Sequence, residues 1–452
     1  MLISKAWEKY VVDKYRFRSN IERTIPTFNY YEAKSDCVQF NHACIKKKLT
    51  ICYFVHYFFP DKKGGTERFV LNLAKYQKEK GHNVRVITLG KRPSSAYSCK
   101  TGDIIWQEFE FDGIPITQIR YVHAPRGLYY DAITLDDQEM VKYANEIINR
   151  YKPDVCHIAY PQPFTTLADV FIKNKIPVVF TLTDFNMICH YATLVCKTGE
   201  FCNNSNCGHK CQTICKTYGV KDARLRYNTS SKILDSVNYI TVPSQFVANV
   251  FGNEFPGIKI QIIPHGISGR FTNNTRRRKT SKFIYVGTLS ALKGVETLIR
   301  TFTDINDDDL SLNIYGGGDS TYIKYLKKIS NNKKISFCGE VNANEMHKIY
   351  QNADCVIVPS IWFETYNFVL REALACGCLA LASDIGAMSE AIEEGKNGFL
   401  FEPGNIISLK DAILKAKNFD WSRYYQAKLP DISSEGEKYG AIYYYLYDKY
   451  YK

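Results

Sequence analysis

The sequence predicts an α/β chain built as two doubly wound domains, and three observations carry that expectation. From Leu49 onward, short β-branched runs alternate with amphipathic helical stretches, the pattern of layers around parallel sheets. The alternation breaks at a polar, basic stretch and begins again near Lys282. With 452 residues and 45% apolar content, the chain is long enough to bury the cores of two or three domains.

The first series opens with Leu49–Val55, which reads as a buried strand, and a loop ending in Gly64–Gly65. Thr66–Lys80 is predicted as a helix because Phe69, Val70, Leu73 and Tyr76 recur at helical spacing. Gly81 is placed to end it, and Asn83–Leu89 is the next strand. Further strands are expected at Val155–Ile158, Val178–Leu182 and Tyr239–Val242, bounding a first domain at residues 49–266. Residues 267–281, polar and basic, read as a linker. A second domain at 282–428 starts with strand Phe283–Val286 and a helix from Val295. Its strands continue at Leu310–Tyr315, Ile335–Cys338, Cys355–Val358 and Leu379–Ala382. Two such domains would place a ligand cleft between the carboxyl ends of both sheets.

Two segments fit neither series. Residues 1–48 carry ten basic and five acidic residues without a period, and read as a flexible extension, with a docking arm as the alternative. Residues 429–452 hold Tyr439, Ile442, Tyr443, Leu446 and Tyr450 on one helical face, which predicts a terminal helix packing back on the body.

Lys and Arg total 59 against 46 Asp and Glu, a formal charge of +13. That excess suits solubility or an anionic membrane surface. Aromatic and basic residues do not interleave, which argues against nucleic acid as a partner. No apolar run reaches the roughly 18 residues of a membrane span, and the first 50 residues lack a signal-peptide pattern. The expectation is a cytoplasmic protein, with the basic surface serving either solubility or association with an anionic membrane. Fifteen cysteines in that compartment read as thiols or metal ligands before disulfides.

The chemistry concentrates in Pro359–Ala373. Glu364 lies in the turn after strand Cys355–Val358, and Glu372 about one and a half turns inside the next helix. Free N–H groups at the helix start, around Asn367 and Phe368, suit a phosphate, while the two carboxylates suit the hydroxyls of ribose and a hexose. An ordinary dipole-stabilising Glu and a solvated Glu would account for the spacing alone. Lys293, before Gly294 in the loop after Phe283–Val286, would add an ammonium able to neutralise a diphosphate leaving group without a divalent metal. Gly316–Gly317–Gly318 permits close backbone approach.

Taken in order, these segments resemble the family-four retaining glycosyltransferases of the GT-B fold, two Rossmann-like domains facing a cleft. The second half matches at Gly287–Gly294, Tyr315–Asp319, the Glu364–Glu372 motif, Glu390 and Gly395–Gly398. The first half matches at Phe59–Pro60, Gly64–Glu67, Gly81–Val84, Pro243–Phe246 and Pro264–Ile267. The resemblance implies that Lys293, Glu364 and Asp184 are catalytic. It places donor binding at Gly65, Thr288, Gly316, Gly318, Val341, Asn367, Phe368 and Glu372. Glu372 would accept the ribose hydroxyls, and Glu364 with the N–H groups of Asn367 and Phe368 would hold the sugar and distal phosphate. It also implies attack by the acceptor hydroxyl from the leaving-group face, with net retention and no protein nucleophile.

Two positions depart from the pattern. Thr288 stands where the family commonly has Arg, so Lys293 is alone, and Thr183 replaces a His that usually precedes Asp184. The expected function is transfer of a hexose from a nucleotide-diphosphate sugar to a lipid-linked, polysaccharide or other glycan acceptor, as in polysaccharide biosynthesis. The rivals are a non-catalytic or weakened sugar-nucleotide-binding protein, and a GT-B phosphorylase or epimerase. No cofactor is expected for catalysis.

Six cysteines lie between Cys189 and Cys215, in a loop of the first domain. Cys202, Cys207, Cys211 and Cys215 form the expected ligand set of a structural zinc. An iron–sulfur cluster and plain thiols remain alternatives.

Overall fold

The computed structural model describes residues 25–32, 47–90, 94–123, 133–196, 198–215, 223–273 and 279–452. The chain divides into two compact units, one of residues 26–266 with 430–452 and the other of 267–429.

The first unit is built on a nine-stranded sheet. In chain order its elements are β1 (Thr50–Val55), α1 (Gly65–Glu79), β2 (Asn83–Leu89), β3 (Cys99–Thr101), β4 (Ile104–Phe111) and β5 (Ile114–Tyr121). There follow α2 (Gln138–Tyr151), β6 (Val155–Ile158), α3 (Thr165–Lys173), β7 (Val178–Thr181), α4 (Ala223–Ser236), β8 (Tyr239–Val242), α5 (Gln245–Glu254) and β9 (Gln261–Ile262). The strand order is β3-β4-β5-β2-β1-β6-β7-β8-β9. Strands β5 to β9 run parallel, and β3 and β4 add an antiparallel edge. Residues Ile51–Val55 of β1 are fully buried, as a central parallel strand covered on both faces requires. Because the chain leaves β1 for β2 on one side and later returns to β6 on the other, the sheet has its switch point between β1 and β6.

The sequence reading missed β3–β5. Their signal is present: Asp112–Gly113 separates two alternating runs, and both residues take positive φ, 50° and 76°, as a tight hairpin demands.

The second unit carries six parallel strands: β10 (Lys282–Val286), β11 (Ser311–Tyr315), β12 (Ile335–Gly339), β13 (Cys355–Val358), β14 (Leu379–Ser383) and β15 (Gly398–Phe401). Between them lie α6 (Val295–Thr303), α7 (Ser320–Ile329), α8 (Met346–Asn352) and α9 (Phe368–Ala375), and α10 (Ile406–Lys417) follows. The order β12-β11-β10-β13-β14-β15 puts its switch point between β10 and β13. The predicted linker lies partly outside the described residues. Of its described part, Arg270 donates to Asn344 Oδ1 at 3.0 Å and Asn273 to Gln426 Oε1 at 2.9 Å, so these residues are tied to the second unit.

The last helix, α11 (Ile432–Tyr451), packs on the first unit. Glu435 accepts from His265 Nδ1 at 2.9 Å and from the Gly266 N–H at 2.8 Å, both buried. Gly436 has no room for a Cβ against the Tyr76 ring of α1, and Gln77 donates to its carbonyl at 2.7 Å. Tyr443 and Thr181 bracket His157, each 2.6 Å from a ring nitrogen. Burial pushes the His157 imidazole down to about 3, aided by nearby His265, so the ring is neutral in the fold.

Residues 28–31 are also tied down. Tyr31 donates its N–H to Asn249 Oδ1 at 2.8 Å and its hydroxyl to the Ile258 carbonyl at 2.7 Å, and Phe28 meets Phe246 edge-on. This part of the extension is docked, because its aromatic rings find places on α5; residues 1–24 and 33–46 lie outside the described residues. Among the described residues, no helix is long and apolar enough to cross a membrane.

Candidate active site

In the second unit, the loops after β10 and β13 meet at the switch point. The β10 loop ends in a short 3₁₀ turn, Ala291–Lys293, closed by Gly294 at φ 69°. A Cβ on Gly294 would fall inside the Pro359 carbonyl, so glycine is required by both φ and the contact. Ile361 N–H donates to the Leu292 carbonyl at 2.9 Å, which locks the two loops together.

That contact delivers Lys293 Nζ to Glu364 Oε1 at 2.6 Å. The same oxygen accepts from Ser360 Oγ at 2.7 Å and Trp362 Nε1 at 3.0 Å. Burial alone would raise the Glu364 carboxyl, but the Lys293 charge and these hydrogen bonds outweigh it and hold it below its ordinary value. The Glu364 backbone is fixed as well: its carbonyl accepts from Ala387 N–H at 2.9 Å, against Gly386 at φ 66°.

Helix α9 starts beside this pair. Asn367, in the left-handed region at φ 64°, caps it by accepting from Leu370 N–H at 2.9 Å. Phe368 is buried, and its N–H opens the helix. Glu372 is buried within α9, with Tyr350 donating to Oε2 at 3.3 Å. Arg371, missed by the sequence reading, is buried and donates to the carbonyls of Tyr366 and Ala387, so it braces the turn that carries Glu364. Its guanidinium lies 3.9 Å from the Tyr366 ring centroid, a spacing that spots Arg371 only once the fold is known.

The glycine-rich turn explains itself by packing. Gly316 and Gly318 press against the backbone at Gly287 and Leu289, and Leu289 N–H donates to the Gly317 carbonyl at 2.8 Å. Thr288 is exposed between them, its carbonyl bound by the Tyr285 hydroxyl at 2.8 Å, and Val341 lies half-buried after β12.

The first unit has its own polar site at the β1/β6 switch point. His56, Tyr57, Tyr160, Gln162, Asn186 and His190 line most of a pocket of about 330 Å³. His56 and Tyr160 stack at 3.8 Å between centroids. Asp184 accepts from Asn186 N–H at 2.9 Å and Nδ2 at 2.8 Å, and desolvation raises its carboxyl despite these bonds. Thr183 is buried, and its hydroxyl donates to the Ala159 carbonyl at 2.8 Å and accepts from Thr66 Oγ1 at 3.0 Å. The hydroxyl thus ties α1 to the end of β6.

Gly65 opens α1, and Glu67 folds back until its carboxyl reaches the space beside Gly64. Burial raises the Glu67 carboxyl, and His56 Nε2 stands 3.8 Å away. Glu67 was named only as the end of the matching segment Gly64–Glu67 and His56 not at all, since only the fold brings β1 and α1 together.

Of the predicted zinc ligands, Cys202, Cys211 and Cys215 line one small cavity with Cys189 and Cys196, whereas Cys207 does not. Asn206 and Cys207 take φ of 49° and 53°, and Cys207 is exposed beside the Tyr227 hydroxyl. Sequence spacing included Cys207 because a left-handed turn that redirects a side chain leaves no mark in the spacing.

Two open-ended α/β sheets with polar groups gathered at their switch points define a nucleotide-handling class of fold. Two family models match in succession: Glycosyltransferase Family 4 over residues 63–268 and Glycosyl transferases group 1 over residues 270–425. Together they span most of the sequence, and the chain belongs to this glycosyltransferase family.

Among individual relatives, an uncharacterized glycosyltransferase of Methanocaldococcus jannaschii is 34% identical over 125 residues, 27% of this chain and 32% of that one. D-inositol 3-phosphate glycosyltransferase of Corynebacterium diphtheriae is 24% identical over 80% of this chain and 83% of its own. The matched stretch spans only 32, 52 and 58% of the first three curated relatives. Among solved structures, HepE of Anabaena, in complex with UDP and glucose, is similar at a TM-score of 0.59 and 15% identity. That likeness covers 87% of this chain and 99% of HepE, and it shows the GT-B fold.

Proposed function

We propose that the chain transfers a hexosyl group from a nucleotide-diphosphate sugar to a glycan or lipid-linked acceptor, with retention at the anomeric carbon. The observation that carries this reading is the Lys293–Glu364 pair at the β10/β13 switch point, backed by Ser360, Trp362 and the open N–H groups of α9. Lys293 supplies the charge for the diphosphate, and its hold on Oε1 leaves Glu364 Oε2 to accept from the sugar hydroxyls. Glu372 accepts from the ribose. The Asn367–Phe368 helix start takes the distal phosphate, Thr288, Gly316 and Gly318 shape the loops around it, and the base lies against backbone near Val341.

HepE binds UDP and glucose in its structure, which favours a uridine donor as the first to test. The pocket of His56, Tyr57 and Tyr160 suits a pyranose acceptor, since aromatic faces cover apolar sugar faces while Asn186 and Gln162 meet hydroxyls. Asp184, with its carboxyl raised, acts from the edge of this pocket. The basic excess brings the chain to anionic membrane surfaces that present such acceptors.

The test is a panel of UDP-, GDP- and ADP-sugars with lipid-linked and soluble glycans. The anomer formed is read by NMR. Product that forms without free phosphate, retains configuration and is lost in Lys293→Ala supports the proposal. Turnover that requires inorganic phosphate, or is unchanged in Lys293→Ala, overturns it.

A further inference from the structure

Residues 28–31 are held on the first unit by side-chain amides. Asn249 Oδ1 accepts from the Tyr31 N–H at 2.8 Å, and Gln245 Nε2 donates to the Tyr31 carbonyl at 2.8 Å. Asn253 Nδ2 donates to the Asn29 carbonyl at 3.2 Å. Gln245, Asn249 and Asn253 stand at successive i,i+4 positions of α5, so one stripe of the helix carries all three amides. Gly252 completes the seat, because a Cβ there would lie 2.4 Å from the Tyr31 ring.

The phenol is matched as well as the backbone. The Tyr31 hydroxyl donates to the Ile258 carbonyl at 2.7 Å and accepts from the Ile260 N–H at 2.9 Å, so both roles of the O–H are used. Phenylalanine at this position would leave that N–H and that carbonyl without these partners. Covering an apolar patch asks only for an apolar ring, whereas this seat asks for tyrosine.

A line of aromatic rings runs from this segment to the pocket at the β1/β6 switch point. Phe28 meets Phe246 edge-on at 5.6 Å between centroids, and Phe246 meets Phe185 edge-on at 6.2 Å. Phe246 is half-buried with Phe28 against it, so without Phe28 more of its outer edge would meet water. Phe185 is fully buried and follows Asp184. Its carbonyl accepts from the N–H groups of Ile188 at 2.9 Å and Cys189 at 2.7 Å, which closes the turn between them. That turn carries Asn186, and His190 follows it; both line the pocket.

We propose that Phe28 and Tyr31 are positioning residues for this pocket. Tyr31 anchors the segment on α5, and Phe28 holds Phe246 against Phe185, which fixes the turn that presents Asn186 and His190. Neither residue meets a reacting atom; close packing passes the placement of one ring to the next. The pocket's role as an acceptor site rests on the proposed function, whereas the coupling between segment and turn does not.

The experiment compares hydrogen exchange of three full-length variants with wild type. Tyr31→Ala removes the anchor, and Gly252→Ala fills its seat while keeping Tyr31 and favouring the α5 helix. Phe28→Ala leaves the anchor seated and removes only the ring that meets Phe246. In the first two the amide of residue 31 loses protection, in all three the amides of Asn186, Ile188 and Cys189 exchange faster, and the second unit is unchanged. In transfer assays the KM for the acceptor rises by roughly 2- to 30-fold, while the KM for the nucleotide sugar holds. Release of residue 31 with no change at residues 186–189 overturns the proposal, as does full protection of residue 31 in Gly252→Ala, or an equal rise in both KM values. Exchange is read without substrate, so a chain that transfers no sugar counts against the proposed function alone and the coupling is still decided.

Discussion

Lys293 Nζ lies 2.6 Å from Glu364 Oε1, and this oxygen is shared with Ser360 Oγ and Trp362 Nε1. A carboxylate with three donors on one oxygen keeps its charge despite burial. Under the proposed function its other oxygen accepts from the donor sugar.

Replacement of Lys293 by Ala is expected to lower kcat/KM by about 10²–10³-fold, the usual effect of removing one preorganised group that meets developing charge. Affinity for the nucleoside diphosphate falls with it. Isothermal titration with UDP and steady-state kinetics on the same variant check both.

Gly294→Ala tests the support rather than the charge. Its Cβ would overlap the Pro359 carbonyl and its φ of 69° disfavours an L side chain. The expected outcome is loss of about 2 kcal/mol or more of stability, with weakened nucleotide binding. Denaturant unfolding followed beside nucleotide titration would read both, and an unchanged midpoint would remove Gly294 from the argument.

Acid should weaken the fold through His157. Its folded value is depressed to about 3, so the unfolded chain binds the extra proton between that value and about 6.5. Stability from keeping the ring neutral is full above about pH 6.5 and falls as pH drops. By pH 5 the loss is about 2 kcal/mol from this group alone. Glu364, depressed in the fold, adds a further loss as pH falls below the ordinary carboxyl range. Midpoints of urea unfolding between pH 7 and 5 measure the first effect. A variant that supplies a neutral, hydrogen-bonding side chain, His157→Gln, should flatten that slope.

Glu435→Ala removes the acceptor of both His265 Nδ1 and the Gly266 N–H. A buried amide left without a partner and a lost charged hydrogen bond together cost about 2–4 kcal/mol. The helix Ile432–Tyr451 should then become the first part of the chain to exchange its amide hydrogens. Hydrogen exchange confined to other segments would contradict the role given to Glu435.

Much of this was legible beforehand. The strands Val155–Ile158, Tyr239–Val242 and Cys355–Val358 fall where the apolar runs place them, because a strand buried on both faces must be apolar throughout. Asp112–Gly113 also announced its hairpin, although the reading passed over it. The Glu364 loop and Lys293 could be found because they flank local strand-to-helix turns. The roles of Arg371, Glu67 and His56 were not legible, since their partners are carbonyls and side chains on other elements.

The sequence by itself determined the class of fold, the two series of strands, and the residue types gathered after β10 and β13. Tertiary structure decided which of those groups meet. It set Lys293 on Glu364 across 71 residues, left Cys207 outside the cysteine-lined cavity, and joined Glu435 to His265 across 170. Local spacing fixes periodicity and turn chemistry over a few residues, whereas a contact between distant residues depends on strand order and backbone φ, which only the packed sheet specifies.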